Sequence, residues 1–196
     1  MKVKYFLTFC AILICFGCAS KPHVPPTLGV MYTSYNIWKH RSPMFCINFK
    51  VGQDIIPAGT KVYDIKVKKV KIKTGGRRDI YYYIQFKLVD TGEKISVKFN
   101  SRWHPRESAY TYRMYMFTHL NFEELTEGLS HDEILAIKMG GVIERMSKRA
   151  VRISYGYPPE HVNKGFSENK WVYWINKLKR KYIFFDENGK VISRGP

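Results

Sequence analysis

Between Val62 and Phe99 the chain is dominated by a two-residue period, and that period limits the structures it can form. Ile80, Tyr82, Ile84, Phe86 and Leu88 alternate with Tyr81, Tyr83, Gln85 and Lys87; Ile95, Val97 and Phe99 alternate with Lys94, Ser96 and Lys98. Successive strand side chains point to opposite faces, so each run builds a half-buried strand with lysines on its wet side. Thr74-Gly75-Gly76-Arg77-Arg78-Asp79 and Asp90-Thr91-Gly92-Glu93 supply the turns. In the preceding run, VYDIKVKKVKIK, Ile65 and Val67 share a parity that Val70 and Ile72 lack. The consecutive Lys68 and Lys69 therefore predict a β-bulge that returns the apolar side to the core. Met44-Phe45-Cys46-Ile47-Asn48-Phe49 adds a short apolar run, and Ile55 to Thr60 reads as a turn. The expectation is an antiparallel meander in a small sandwich or barrel.

Downstream the pattern changes. Residues 101–120 are aromatic-rich, and Tyr110, Tyr112, Tyr115, Met116 and Phe117 are expected to pack between two units in preference to forming an exposed patch. Asn121-Phe122-Glu123-Glu124 and Ser130-His131-Asp132-Glu133 have capping-box spacing, and each opens a helix. Ile134, Leu135 and Ile137 are expected on the buried side of the second of these. Ser147 caps a further helix from Lys148 to Tyr155, with Val151 and Tyr155 on one face, ended by Gly156 and Pro158-Pro159. Trp171 to Asn176, Tyr182 to Asp186 and Val191 to Ser193 read as strands, with Asn188-Gly189 in the last hairpin turn. Trp171, Tyr173 and Ile175 point one way, Val172 and Trp174 the other.

The N-terminus has a different character. Lys2 and Lys4 precede the uncharged FLTFCAILICF, which makes a secretory leader too short for a spanning helix. It closes on Gly17-Cys18-Ala19-Ser20, which resembles a bacterial lipobox: Gly17 precedes the cut and Cys18 is the acylated residue. Cleavage there removes Cys10 and Cys15, and lipid consumes Cys18. Cys46 then has no disulfide partner and is expected to be an inert buried thiol. Residues 18–28 carry three prolines and form an extended tether of about 30 Å. Ala19 favours the outer membrane over inner-membrane retention.

The formal net charge is +17. Lys66, Lys68, Lys69, Lys71, Lys73, Arg77 and Arg78 form one cluster; Lys177, Lys179, Arg180 and Lys181 form another. In an exported protein such a field meets lipid phosphates, anionic glycolipid and acidic protein faces, not nucleic acid. His23, His40, His104, His119, His131 and His161 show no metal-ligand spacing, and no nucleophile elbow or phosphate-cradling loop is present. The sequence shows no catalytic, cofactor or metal constellation.

Gly128-Leu129-Ser130, Ile137-Lys138-Met139-Gly140, Met146 to Val151, Tyr155-Gly156-Tyr157-Pro158, Trp171-Val172-Tyr173-Trp174 and Phe184 to Val191 together resemble the SmpA/OmlA-like family of small lipoproteins of outer-membrane β-barrel assembly. The resemblance covers residues 128–193. It implies two helices on a three-stranded antiparallel sheet, in a non-catalytic module that contacts envelope proteins and, in some members, anionic phospholipid. The expected α+β chain is therefore a leader (1–17), a lipidated tether (18–28), a β-rich domain with an aromatic connector (29–120) and an SmpA/OmlA-like domain (121–196). Its expected role is a non-enzymatic scaffold at the outer membrane, facing the periplasm, with an envelope protein as partner and possible contact with anionic lipid or glycolipid. The alternatives are a periplasmic hydrolase, or a glycan or peptidoglycan binder, with a site at the domain junction near Trp103 and His104.

Overall fold

The computed structural model describes residues 29–40, 43–52, 54–74 and 77–195. The leader, Cys18, the tether and Gly75-Gly76 lie outside them. Four short strands come first: β1 (Met31–Thr33), β2 (Ile37–Trp38), β3 (Met44–Phe45) and β4 (Ile55–Ile56). Three longer ones follow, β5 (Lys61–Thr74), β6 (Arg77–Leu88) and β7 (Lys94–Phe99). Helix α1 (Ala109–Met116) then leads into β8 (Phe117–Thr118), α2 (Phe122–Thr126), α3 (His131–Lys138) and α4 (Lys148–Tyr155). The chain ends on β9 (Lys170–Trp174), β10 (Arg180–Phe185) and β11 (Val191–Gly195). The class is α+β, with these four helices among the described residues.

A curled six-stranded sheet has the order β3-β7-β6-β5-β1-β8. The β5-β6-β7 meander is antiparallel as expected, and Ile84, Phe86, Ile95, Val97 and Phe99 are all buried in its core. The sheet as a whole is mixed, because β3 lies parallel to β7. At two residues, with Cys46 N–H donating to the Lys98 carbonyl, β3 only covers an edge. A separate two-stranded pair joins β2 and β4, so this region is neither a closed barrel nor two large facing sheets.

The bulge is not at Lys68-Lys69. Those residues pair regularly with Tyr83 and Tyr82, and the register shifts instead between Tyr63 and Lys66. Asp64 there has a φ of 54°, a left-handed conformation that acidic residues tolerate. Val70 and Ile72 consequently emerge on the opposite face from Val67. No core exists to recover them, since β7 pairs only with Tyr82 to Lys87. Beyond that edge β5 and β6 continue as a two-stranded ribbon, roughly 15 Å long at the rise of a strand. Ile72 and Ile80 on it are exposed.

The aromatic connector becomes α1, capped by Ser108, whose hydroxyl accepts from Thr111 N–H. Tyr112, Met116 and Phe117 are buried, as packing requires, while Tyr110 and Met114 face solvent. Tyr115 stacks on Tyr157 with 4.7 Å between ring centroids.

Both capping boxes form. On α3 the buried stripe is Glu133, Ala136 and Ile137, not Leu135, which is 44% exposed. Glu133 takes the inner position because its carboxylate accepts from the N–H groups of both Ser130 and Ser147, joining the starts of α3 and α4. Burial opposes its ionisation; those backbone donors and Lys190 outweigh burial and hold the carboxyl at about 2. Helix α4 ends as expected at Gly156, with φ 81°. A Cβ there would come within 2.8 Å of the Tyr35 ring. Strands β9, β10 and β11 form an antiparallel sheet of order β11-β10-β9, with Trp171, Tyr173 and Ile183 fully buried. The free edge of β9 is covered by Asn163, whose side chain bonds both the N–H and the carbonyl of Val172.

Two apolar clusters result, but they do not divide the chain cleanly. Trp38, Ile55 and Ala58 belong to the cluster of α3, α4 and the C-terminal strands. Two buried amides hold that crossing. Asn36 donates to the Ile137 carbonyl at 2.7 Å and accepts from Ala58 N–H at 2.8 Å. Asn48 donates to the carbonyls of Asn36 and Tyr155 and accepts from Trp38 N–H. Asn36→Ala strands a buried carbonyl and a buried N–H and is expected to destabilise by roughly 2 to 5 kcal/mol in urea denaturation. A loss below about 1 kcal/mol would show that water replaces both partners.

Candidate functional site

Lys66, Lys68, Lys87, Lys94 and Lys98 share the sheet face that looks away from the core, as the cross-strand pairs Lys66↔Gln85, Lys68↔Tyr83, Tyr83↔Lys98 and Lys87↔Lys94 require. Tyr81 and Tyr83 stand among them, and the Lys98 ammonium lies 3.6 Å from the Tyr81 ring centroid. Asp64 is held by Lys66 at 3.2 Å and Lys87 at 3.3 Å. Those bonds, Lys66 foremost, keep its carboxyl below the usual range. The face can therefore attract anions through several exposed charges of one sign. Lys69, Lys71 and Lys73 project from the other side of the same ribbon. The second sequence cluster is on a different sheet: Lys177 and Lys179 are in the β9–β10 turn, and Arg180 stacks on Trp174.

The region around Trp103 and His104 is filled. Trp103 packs edge-on against Phe45 and Phe49. His104 is 1% exposed and lies 4.5 Å from the Tyr112 ring. Burial first, and the nearby His161 second, push His104 down to about 3. A ring that stays neutral down to that pH does not change its charge near neutrality. His161 itself stacks on Trp174, with its Nδ1 at 3.4 Å from the Trp103 carbonyl. Cys46 is the buried thiol anticipated, and desolvation pushes it up to about 12. Among the described residues no group of three or more His, Cys, Asp or Glu side chains could hold a metal ion. No described helix is long and apolar enough to cross a membrane.

Sequence reasoning passed over Lys50, which closes the apolar run begun at Met44. Asn48, at φ 51°, turns the chain there, and Lys50 N–H bonds the Trp174 carbonyl at the end of β9. The side chain is thereby turned inward. Its ammonium donates to the Asn48 carbonyl and faces three rings: Trp38 at 4.6 Å, and Tyr155 and Tyr173 at 5.4 Å each. Burial drives this amine well below the ordinary lysine range, while the ring faces and the carbonyl favour its charged form. It lines a cleft of about 690 Å³ together with Lys138 and Lys181. The only signal in the sequence was a lone cation beside two aromatic residues and an asparagine.

No known family, curated protein or solved structure matches the chain.

His104 is buried neutral, with a folded pKa below its unfolded value of 6.5. The unfolded chain binds more protons, so the stability this residue contributes is present above pH 6.5 and is lost as pH falls toward 3. Stability measured by urea titration should decline through that window, and less steeply in His104→Phe. Equal slopes in the two proteins would refute the assignment.

Proposed function

We propose that this protein is a non-enzymatic, lipid-anchored module of the outer membrane that holds an envelope partner near the periplasmic leaflet. Acyl chains at Cys18 fix the location, and the lysine face of β5, β6 and β7 adds attraction to anionic lipid or glycolipid. The observation that carries the reading is that face. Five lysines share it with two carboxylates, Asp64, which is already engaged by two of them, and Asp79 further out on β6. The positive field is thus directed outward and not cancelled internally.

The proposed organisation is a β-rich domain up to about residue 120, followed by an SmpA/OmlA-like domain. In support, α3 and α4 precede the antiparallel β9, β10 and β11 in the order the resemblance implies, and the apolar clusters fall mainly on either side of that boundary. The packed rings at Trp103 and His104 favour a scaffold over a hydrolase with a site there.

Two measurements test this. Metabolic labelling with an alkyne-bearing fatty acid should tag the wild type and not Cys18→Ala; an untagged wild type, or a tagged variant, would overturn the anchor. Separately, Lys68→Gln with Lys94→Gln and Lys98→Gln should weaken binding to phosphatidylglycerol vesicles by about 100-fold, since each lysine near an anionic surface contributes about 1 kcal/mol. Unchanged binding would remove the role given to that face.

A further inference from the structure

An ammonium drawn partly out of water without a counter-charge is costly, and stacking over rings offsets only part of that cost. Lys50 is in that condition. Among the described residues no carboxylate pairs with it, and its one hydrogen bond goes to the Asn48 carbonyl. The cleft above adds further positive charge. Lys138 lies over Phe122 at 5.5 Å and Lys181 over Tyr155 at 5.7 Å, and neither meets a carboxylate among the described residues. Asp54 also lines the cleft and is engaged by Lys39 at 3.6 Å. Three lysines therefore line one cleft with a single acid, Asp54, which is shared with Lys39.

The walls are specific as well. Gly140 has φ 62°, and a Cβ there would meet Ile55 at 2.6 Å and the Trp38 ring at 3.1 Å. A side chain at this position would disturb the wall that Trp38 presents to the cleft. A volume of about 690 Å³ is in the range of small-molecule sites and exceeds what a bare inorganic anion needs. The donors are three lysine point charges with no arginine fork, which suits a tetrahedral dianion better than a planar carboxylate.

We infer that this cleft binds a phosphate monoester, with the dianion among Lys50, Lys138 and Lys181 and the organic substituent against the rings of Trp38 and Tyr155. The inference rests on different residues from the anchoring reading, so either can fail while the other holds.

The test is calorimetric titration of phenyl phosphate into the full-length protein in detergent micelles. Saturable binding at one site is expected, weakened at least tenfold by Lys50→Met and several-fold by Lys181→Gln. Lys50→Met replaces an amine that has no carboxylate partner with an apolar side chain of similar shape and should keep or raise the melting temperature. If it fails to fold, Lys138→Gln and Lys181→Gln, both on accessible residues, carry the test. Dihexanoyl phosphatidic acid, titrated below its micelle concentration, separates the two sources of such a group. Affinity tenfold above that of phenyl phosphate assigns a lipid headgroup, and equal or lower affinity assigns a soluble ester. Four results would overturn the proposal: no binding at millimolar phenyl phosphate, unchanged affinity in the cleft variants, benzoate binding as tightly, or equal weakening by the Lys68, Lys94 and Lys98 substitutions.

Discussion

The buried pair Asn36 and Asn48 is the constraint on which the arrangement of the rest depends. Segments 36–38, 48–50 and 55–58 must lie against α3 and α4, yet helices bond their own backbone and offer these segments no ladder to join. Their backbone polar groups would be orphaned at that junction. The two amides supply the missing donors and acceptors, since each side chain can give and accept at once. Asn36 reaches Ile137, while its own backbone N–H reaches Ile153; Asn48 reaches Tyr155. One short segment is thus tied to the ends of both helices. Apolar packing alone tolerates sliding, whereas bonds of this geometry fix one register. Gly156 belongs to the same joint, because a side chain there would strike both the Tyr35 ring and the Asn48 amide.

That joint also explains how charge is handled. With 33 basic residues and 16 acidic ones, about half of the cations cannot have a carboxylate of their own. Aromatic residues make up 15% of the chain, and many basic side chains settle on ring faces: Lys50 on Trp38, Lys98 on Tyr81, Lys170 on Tyr182, Arg152 on Tyr157, Arg180 on Trp174. A ring stabilises a cation without cancelling its charge. The molecule keeps its positive field while burying the stems of long side chains. A salt-bridged surface of the same composition would present a weaker field to an anionic neighbour. The cleft over Lys50 and the lysine face of the sheet are two outcomes of this one economy of acids.

Local rules were legible in the sequence wherever a local interaction decides the structure. The period of β6 and β7, the capping boxes at Asn121 and Ser130, the cap at Ser147 and the stop at Gly156 all depend on residues within a few positions of each other. What was illegible depends on distant partners. Leu135 is exposed because Glu133 is drawn inward by Ser147, fourteen residues away. The bulge is at Asp64, inside the three-stranded part of the sheet, where Lys66 and Lys87 hold the Asp64 carboxylate; Lys87 is on the neighbouring strand, out of reach of a local pattern. Residues 109–116 are helical through a Ser108 cap hidden in a run of aromatics that reads equally well as a strand. Lys50 was invisible for the same reason: its three rings come from residues 38, 155 and 173. The cationic strand face could be anticipated; the cationic cleft could not.

The ribbon beyond β7 is the least supported part of the fold, and its composition bears on why it persists. An isolated two-stranded hairpin is marginal in water, and like charges on Lys69, Lys71 and Lys73 repel along one of its faces. Partial support comes from its base, where Tyr82 meets Tyr110 and Tyr81 lies under Lys98. Past those contacts, Ile72 and Ile80 remain exposed beside lysines. Exposed edges usually carry lysine to discourage pairing with another strand, which would account for the charge. It does not account for the isoleucines, which a purely defensive edge would replace with polar residues. Apolar side chains set among cations match the boundary between headgroups and acyl chains, where the apolar part is buried and the charge meets phosphate. On the proposed reading, the ribbon gives up stability in solution for a surface that is satisfied only against a leaflet.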